Sequence, residues 1–300
     1  MLKRLAKRTY QWVPFKPQVM RAIRSVWRPP EYLYQHLHFQ GPFPLDLPNG
    51  AQMRIHHFGN QVENSLFWGG FGKGWESASL FVWLWLVKDA DVILDVGANT
   101  GVYALSAQAT RPNADVYTFE PVARIHAKLT ANIALNGYPI TAFNIALSEK
   151  NGEVPIFDPG GEHAYSASLH AEMLGAGTIS MTTEARRLDD FANEQNIGKL
   201  DVVKIDVEMH EPEMIAGSVL RMDRDRPALL IEILNREIGN RLAELLPDYV
   251  FFQIGDAIAQ TDKPGEHADR NYLALHNRDP RLTDLGRGVP LTTVQGWVRR

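Results

Sequence analysis

The feature that most constrains the fold is an alternation. From Asp91 onward, short apolar runs take turns with segments of helical pattern. "DVILDVG" is short, apolar and closed by a glycine, so it reads as a buried strand followed by a tight turn. Thr100 to Ala109 suits a helix. "ADVYTFEP" predicts a second strand, stopped by Pro121. Val122 to Asn136 reads as a helix, with Gly137 as its C-terminal cap. "PITAFNIALS" predicts a third strand. "GEVPIFDP" reads as an extra strand in an insertion, and "LDVVKIDV" follows the short helix "RRLDDFANEQN". Pro212 suits the first turn of the next helix. "PALLIEIL", "YVFFQIG" and "NYLALH" are further strands, with the helix "REIGNRLAELL" after the first of them. Strands alternating with helices imply an α/β fold whose parallel sheet is covered on both faces. Ligands of such sheets bind outside the carboxyl ends of the strands.

Charge and composition narrow the function classes. The 300 residues carry a net charge of −4 and no cysteine. An acidic balance argues against a nucleic-acid partner, because neutralising phosphates takes a basic surface. Lack of cysteine removes disulfides, thiolate zinc sites and cysteine nucleophiles. Residues 1–75 are irregular in pattern and read as an accessory segment. Its first thirty residues hold Lys3, Arg4, Lys7, Arg8, Lys16, Arg21, Arg24 and Arg28, no acid, and the aromatic residues Tyr10, Trp12, Phe15 and Trp27. Two readings stay open: a solvated basic arm against an acidic domain, or peripheral contact with an anionic membrane. The longest apolar run, Leu80 to Val87, is shorter than the roughly 20 residues that span a bilayer. It reads as a buried helix, and the chain as cytoplasmic.

The first strand ends in "LDVGANTG". Gly97 and Gly101 flank a turn at the start of a helix, where glycine lets the backbone come close to a ligand. Glu120 ends the second strand, and a carboxylate there can accept both hydroxyls of a ribose. A dinucleotide site usually shows G-x-G-x-x-G; this chain has only G-x-x-x-G, without the glycine that makes room for a pyrophosphate. Asp95 would repel phosphate and suit a cation. These features favour S-adenosylmethionine over NAD, with a simple helix-capping role for Asp95 as the bland alternative.

The segments "DVGANTG", "TFEP", "ANIALNG", "IALSEKNGEV", "RRLDDF", "KIDVEMHE" and "PALLIEI" resemble, in that order, the FkbM-like S-adenosylmethionine-dependent methyltransferases. The resemblance covers roughly residues 90 to 276. It implies a class I methyltransferase fold: a Rossmann-like three-layer sandwich on a seven-stranded, mostly parallel sheet with the last strand antiparallel. Residues 76–300 form that domain. The implied activity is O-methyl transfer to a hydroxyl of a glycan or other natural product. Asp95, Gly97, Ala98, Asn99 and Gly101 are then expected near the methionine end of the cofactor, Glu120 at the ribose, and Ala146, Leu147 and Ser148 against the adenine. The family's K-I-D-V-E-G-x-E pattern is broken by Met209, which stands where the glycine usually does.

Alternate residues of an extended segment face the same way. Lys204, Asp206 and Glu208 therefore share a face, and their charge belongs at the strand's carboxyl tip. Asp206 is the first candidate to orient the acceptor hydroxyl or take its proton. His210 is a competing base. Lys204 is expected beside Asp206, as catalytic partner or plain ion pair, and Glu232 is expected near the pocket. Glu211 and Glu213 suit the N-terminal turn of a helix, where negative charge is favoured. Asp206, Glu232 and Asn235 have the right chemistry for a hard cation, though their spacing is not specific, so no metal is expected. The insertion at residues 151–184, with its glycines and polar side chains, is expected to act as an acceptor lid. Two other classes stay open: an NAD-dependent oxidoreductase on a similar sheet, and a non-catalytic nucleoside-binding module.

Overall fold

The computed structural model describes residues 15–158, 179–266 and 269–299. Near the N-terminus, β1 (Gly41–Asp46) and β2 (Gln52–His57) form an antiparallel ribbon. The main sheet begins with β3 (Val92–Val96), β4 (Asp115–Phe119) and β5 (Thr141–Phe143). Then β6 (Ala146–Leu147), β7 (Gly152–Asp158) and β8 (Ile179–Arg186) form a small separate sheet. The main sheet resumes with β9 (Val202–Ile205), β10 (Ala228–Glu232), β11 (Tyr249–Ile254), β12 (Ala257–Thr261), β13 (Asn271–His276) and β14 (Gly288–Pro290).

The main-sheet order is β14-β12-β11-β13-β10-β9-β3-β4-β5. From β5 to β10 every pairing is parallel. β13 runs antiparallel between β10 and β11. The seven strands from β5 to β11 are thus the expected class I arrangement, with "NYLALH" as its antiparallel member. The strand count itself differs: β12 and β14 extend the sheet to nine. "AIAQT" carries one buried residue, Ile258, so its apolar signal is too thin to read as a strand.

The continuous apolar runs reflect burial on both faces. Ile93, Val202 and Leu230 point to one hydrophobic cluster, and Leu94, Val203 and Leu229 to another. The first cluster joins the sheet to the N-terminal segment, from Met20 through Phe43, Ile55 and Phe67, and to helices Ser77–Val87 and Val102–Thr110. Helix Ser77–Val87 is apolar all round because it is enclosed all round. Its Trp83 is fully buried and donates its indole N–H to the Tyr103 carbonyl at 2.9 Å. The second cluster takes helices Leu188–Glu194, Glu211–Ala216 and Arg236–Leu245. Among the described residues, no helix is long and apolar enough to cross a membrane.

"PITAFNIALS" is a correction: it is not one strand but β5 and β6, which belong to different sheets. The break has a cause at Asn144. Its side-chain amide donates to the carbonyls of Glu120 and Pro121, at 2.8 and 2.9 Å. That diverts the chain across the end of β4 and brings Ile145 to Leu147 over the sheet's carboxyl edge.

Candidate active site

A cavity of about 230 Å³ lies at the carboxyl ends of β3, β4, β9 and β10. Its walls fall into two halves. Gly97 to Thr100, Phe119 to Val122, and Ile145 to Leu147 line one; Trp75, Glu76, Asp206 to Glu208, His210 and Glu232 line the other. Among the described residues, no lysine or arginine lines it.

The first half is built by backbone constraint. Gly97 has φ 79°, and a Cβ there would sit 1.8 Å from the Asp206 carbonyl oxygen. Only glycine lets the β3 and β9 tips approach this closely. Asn99 follows with φ 51°, a conformation asparagine tolerates better than most residues. Glu120 fastens the turn: Oε2 accepts from the Asn99 N–H and Oε1 from the Val122 N–H, both at 3.0 Å. Burial raises the Glu120 carboxyl to about 7, against those two hydrogen bonds. Each carboxylate oxygen has more than one lone pair, so it can also receive a hydroxyl. The buried Oδ1 of Asn99 has no hydrogen-bond partner among the described residues, so the wall keeps an acceptor to offer.

Three residues expected at the cofactor lie beside the cavity rather than on its surface. Asp95 is buried beneath the turn, and its Oδ2 accepts from Ala104 N–H at 3.0 Å. It therefore serves helix Val102–Thr110, the bland alternative. Burial lifts its pKa to about 7, with Lys204 opposing. Gly101 has φ 90° and faces Leu129. Ser148 is buried; its Oγ lies 2.9 Å from His210 Nε2, and its carbonyl abuts Gly217. Ala98, Ala146 and Leu147 do line the cavity.

The second half gathers charge. Lys204 is 1% exposed, with Nζ 3.1 Å from Asp206 Oδ2 and 5.0 Å from the Tyr103 ring centre. Burial works against its charge, but Asp206, Glu76, Glu232 and Asp95 outweigh it and hold the ammonium above its ordinary range. Glu232 ends β10 and shares a hydrogen bond with Asp206; burial and that neighbour push it to about 9. Glu232 thus holds a proton at neutral pH, while Asp206 faces Lys204. Glu76 accepts from the Tyr103 hydroxyl at 2.5 Å, and burial raises its pKa. Asn235 is not with these acids: its Oδ1 accepts from Ile238 N–H at 3.0 Å and caps helix Arg236–Leu245.

β9 ends at Ile205, so Asp206 sits at its tip and Glu208 and Met209 form the turn beyond. Both residues are left-handed, with φ 53° and 76°. The position where the resemblance leads one to expect glycine is thus one that favours glycine. What holds the turn is Glu211. It is fully buried, and its Oε1 accepts from Val207 and Met209 N–H, each at 3.2 Å. Burial raises it to about 8. Glu213 instead pairs with Arg241 at 2.8 Å and lies 3.7 Å from His210 Nδ1.

The sequence reading missed Trp75, Glu76 and Tyr103. Trp75 and Glu76 follow the glycine loop "WGGFGKG", which has no periodicity to flag them. Tyr103 is hidden in an ordinary helical pattern. His163 and His170 lie outside the described residues. His56 and His57 are away from the cavity, and His57 bonds Asn64 at 3.2 Å.

A model of the methyltransferase FkbM domain matches residues 95–252. The chain is 30% identical over 158 residues to the 2-O-methyltransferase NoeI of Sinorhizobium fredii, covering 47% of this chain and 63% of that protein. It is 29% identical over 135 residues to the hexuronic acid methyltransferase AglP of Haloferax volcanii, covering 43% and 51%. Each match spans less than two thirds of the relative's length. The crystal structure of an FkbM methyltransferase from Methylobacillus flagellatus aligns with TM-score 0.41 at 17% identity, over 63% of this chain and 44% of that one. The matched domain model begins at Asp95 beneath the glycine turn and runs into β11, more than half of the chain, and so this protein belongs to the methyltransferase FkbM family.

Proposed function

We propose that this chain is an S-adenosylmethionine-dependent O-methyltransferase that acts on a hydroxyl of a glycan or other natural product. One observation carries the reading: a single cavity has the Glu120 carboxylate at one end and the Asp206–Glu232 pair at the other, with no lysine or arginine in its lining among the described residues. Such a wall suits a ribose and a cation, and among the described residues it presents no cationic side chain to a pyrophosphate. That disfavours the NAD alternative. S-adenosylmethionine, when bound, supplies an electrophilic methyl group.

The residues have separable tasks in this reading. Glu120 and Asn99 hold the nucleoside half. Asp206 orients the acceptor hydroxyl and receives its proton at Oδ1 or Oδ2, and Lys204 holds that carboxylate in place at 3.1 Å. Glu232 holds a proton of its own and fixes Asp206 through it. His210, tied to Ser148, is the competing base. The arms of the 151–184 insertion, β7 and β8, pack Ile156 on Val122 and Ile125, and Arg124 pins Asp158 at 2.6 Å. They close over the nucleoside end; residues 159–178 of the expected lid lie outside the described residues.

The N-terminal region supports contact with an anionic membrane. Phe15, Val26, Trp27 and Tyr32 are exposed around helix Lys16–Val26, beside Lys16, Arg21 and Arg28. Co-sedimentation with phosphatidylglycerol vesicles, lost in phosphatidylcholine, tests that contact.

The methyl-transfer reading is tested by thermal shift with S-adenosylhomocysteine and with NAD, since a ligand of the native state stabilises it. Stabilisation by NAD without S-adenosylhomocysteine would sink it. A methyl-transfer screen over glycosides, glycolipids and polyketides, followed by mass spectrometry, then identifies the acceptor class.

A further inference from the structure

A second cavity, about 550 Å³ and more open, adjoins the first. Trp75, Glu76 and Glu232 line both, so these three side chains form the partition between them. The outer cavity is bounded by Gly74 to Ser79, by Ile254 to Asp256, and by Asp269 to Asn271. All three segments lie outside the span that matches the family model.

The register of the sheet explains the juxtaposition. Glu232 is the last residue of β10, and β13 runs antiparallel beside it with Asn271 directly opposite. One strand therefore ends, and its neighbour begins, at the same edge. The carboxylate that holds Asp206 on the inner side stands next to an amide that faces the outer one. The Oδ1 of Asn271 is buried and has no hydrogen-bond partner among the described residues. A buried amide oxygen without a donor is costly, and a donor from a ligand would satisfy it.

The chemistry of the outer cavity is lopsided. Glu76, Glu232, Asp256 and Asp269 supply four carboxyl groups, against Arg270 alone among the described residues. Asp269 Oδ2 is 3.4 Å from the Gln253 side-chain amide and close behind Gly255. Carboxylates and an amide oxygen accept hydrogen bonds from hydroxyls. Glu232 holds a proton at neutral pH, so the repulsion of further negative charge falls to the other carboxyl groups, Asp256 and Asp269 at the outer rim first among them. Trp75 adds a broad apolar surface at the partition.

We infer that the outer cavity is the acceptor subsite and that it selects an uncharged, hydroxyl-rich group, such as a neutral sugar ring, over an anionic one. This rests on the methyl-transfer reading. Under it, the hydroxyl to be methylated passes Trp75 and Glu76 to reach Asp206, and the remaining hydroxyls donate to Asp256, Asp269 and Asn271. The acceptor then enters opposite the β7–β8 arms rather than beneath them.

The test exploits the lack of cysteine, which makes an introduced one uniquely modifiable. Saturation-transfer NMR is run with methyl glucoside and methyl glucuronide on the full chain, with S-adenosylhomocysteine present. Methyl glucoside should give signals and methyl glucuronide should not. Asp256→Cys labelled with a bulky maleimide should abolish the signals. Asn271→Leu should weaken glucoside binding by about five-fold, the loss of one neutral hydrogen bond. S-adenosylhomocysteine affinity, measured separately by calorimetry, should be unchanged in both variants. The inference is overturned if neither glycoside binds, if the glucuronide binds as well as the glucoside, or if the signals survive labelling. If S-adenosylhomocysteine fails to bind the unmodified chain, it is the methyl-transfer reading that has failed.

Discussion

Lys204 and Asp206 meet at 3.1 Å although the lysine is buried and the aspartate stands at the cavity wall. The pair joins the interior of the sheet to its working edge. Around the ammonium lie three further carboxyl groups, of Glu76, Glu232 and Asp95. Removing it would leave them with no buried cation.

Lys204→Met should therefore cost about 3–5 kcal/mol, the range for breaking one side of a buried ion pair. Urea denaturation of the variant measures it. A loss below about 1 kcal/mol would mean that the surrounding acids are simply protonated and that the pair is not needed for the fold.

Asp206→Asn should separate chemistry from cofactor binding. The amide still accepts from Lys204 but cannot take a proton. Turnover should fall by about 10²–10⁴-fold, the usual contribution of a general base, with S-adenosylhomocysteine affinity within about two-fold of the parent. Unchanged turnover would transfer the role to His210.

Glu120→Ala removes the acceptor at the nucleoside end and also frees the Asn99 and Val122 N–H groups. Affinity for S-adenosylhomocysteine should fall by about ten-fold or more, as expected for a lost hydrogen bond to a charged group. Calorimetry reads this directly, and an unaltered affinity would rule out a nucleoside contact at Glu120.

Stability should fall as pH rises from about 5.5 to 8. The Glu211 carboxyl ionises near 4.5 in an unfolded chain but at about 8 when folded. Between those values the unfolded chain gives up the proton first, so unfolding is favoured as pH rises. Glu120 and Asp95, each at about 7, act in the same direction. Glu211→Gln keeps an oxygen for the Val207 and Met209 N–H groups but does not titrate. Its denaturation midpoint should change less over this interval than the parent's.

At position 209, a left-handed backbone costs a residue with a side chain about 1–2 kcal/mol. Met209→Gly should recover that and lose a similar amount of packing, so its stability should stay within about 1 kcal/mol of the parent. Met209→Val should be clearly worse, because a β-branched residue is a genuine outlier at positive φ. Equal stability of the two variants would show that the turn relaxes out of the left-handed region.

What the sequence revealed follows from what signal it carries. The parallel strands were legible because burial on both faces leaves unbroken runs such as "VILDV". That Glu120, Asp206 and Glu232 would stand at the cavity was legible because strand ends are where such folds bind ligands. The sequence left Asp95 with two readings for a physical reason: a carboxylate one residue before a turn can face the ligand or the following helix, and the sequence does not show the N–H of Ala104 that it accepts from. Asn144 redirects the chain through its side chain, which no apolar period records. Glu76 reaches the cavity through tertiary packing from a loop without pattern. Met209 marked its own importance by departing from a glycine, and its φ of 76° supplies the reason.

The grip of Glu211 on the turn before it has a kinetic corollary. A residue in the first turn of helix Glu211–Ala216 holds the amides of Val207 and Met209. The turn cannot keep its shape while that helix is unwound. The helix and the acidic tip of β9 should therefore open as one cooperative unit, with those two amides exchanging with solvent in step with the helix rather than with the strand.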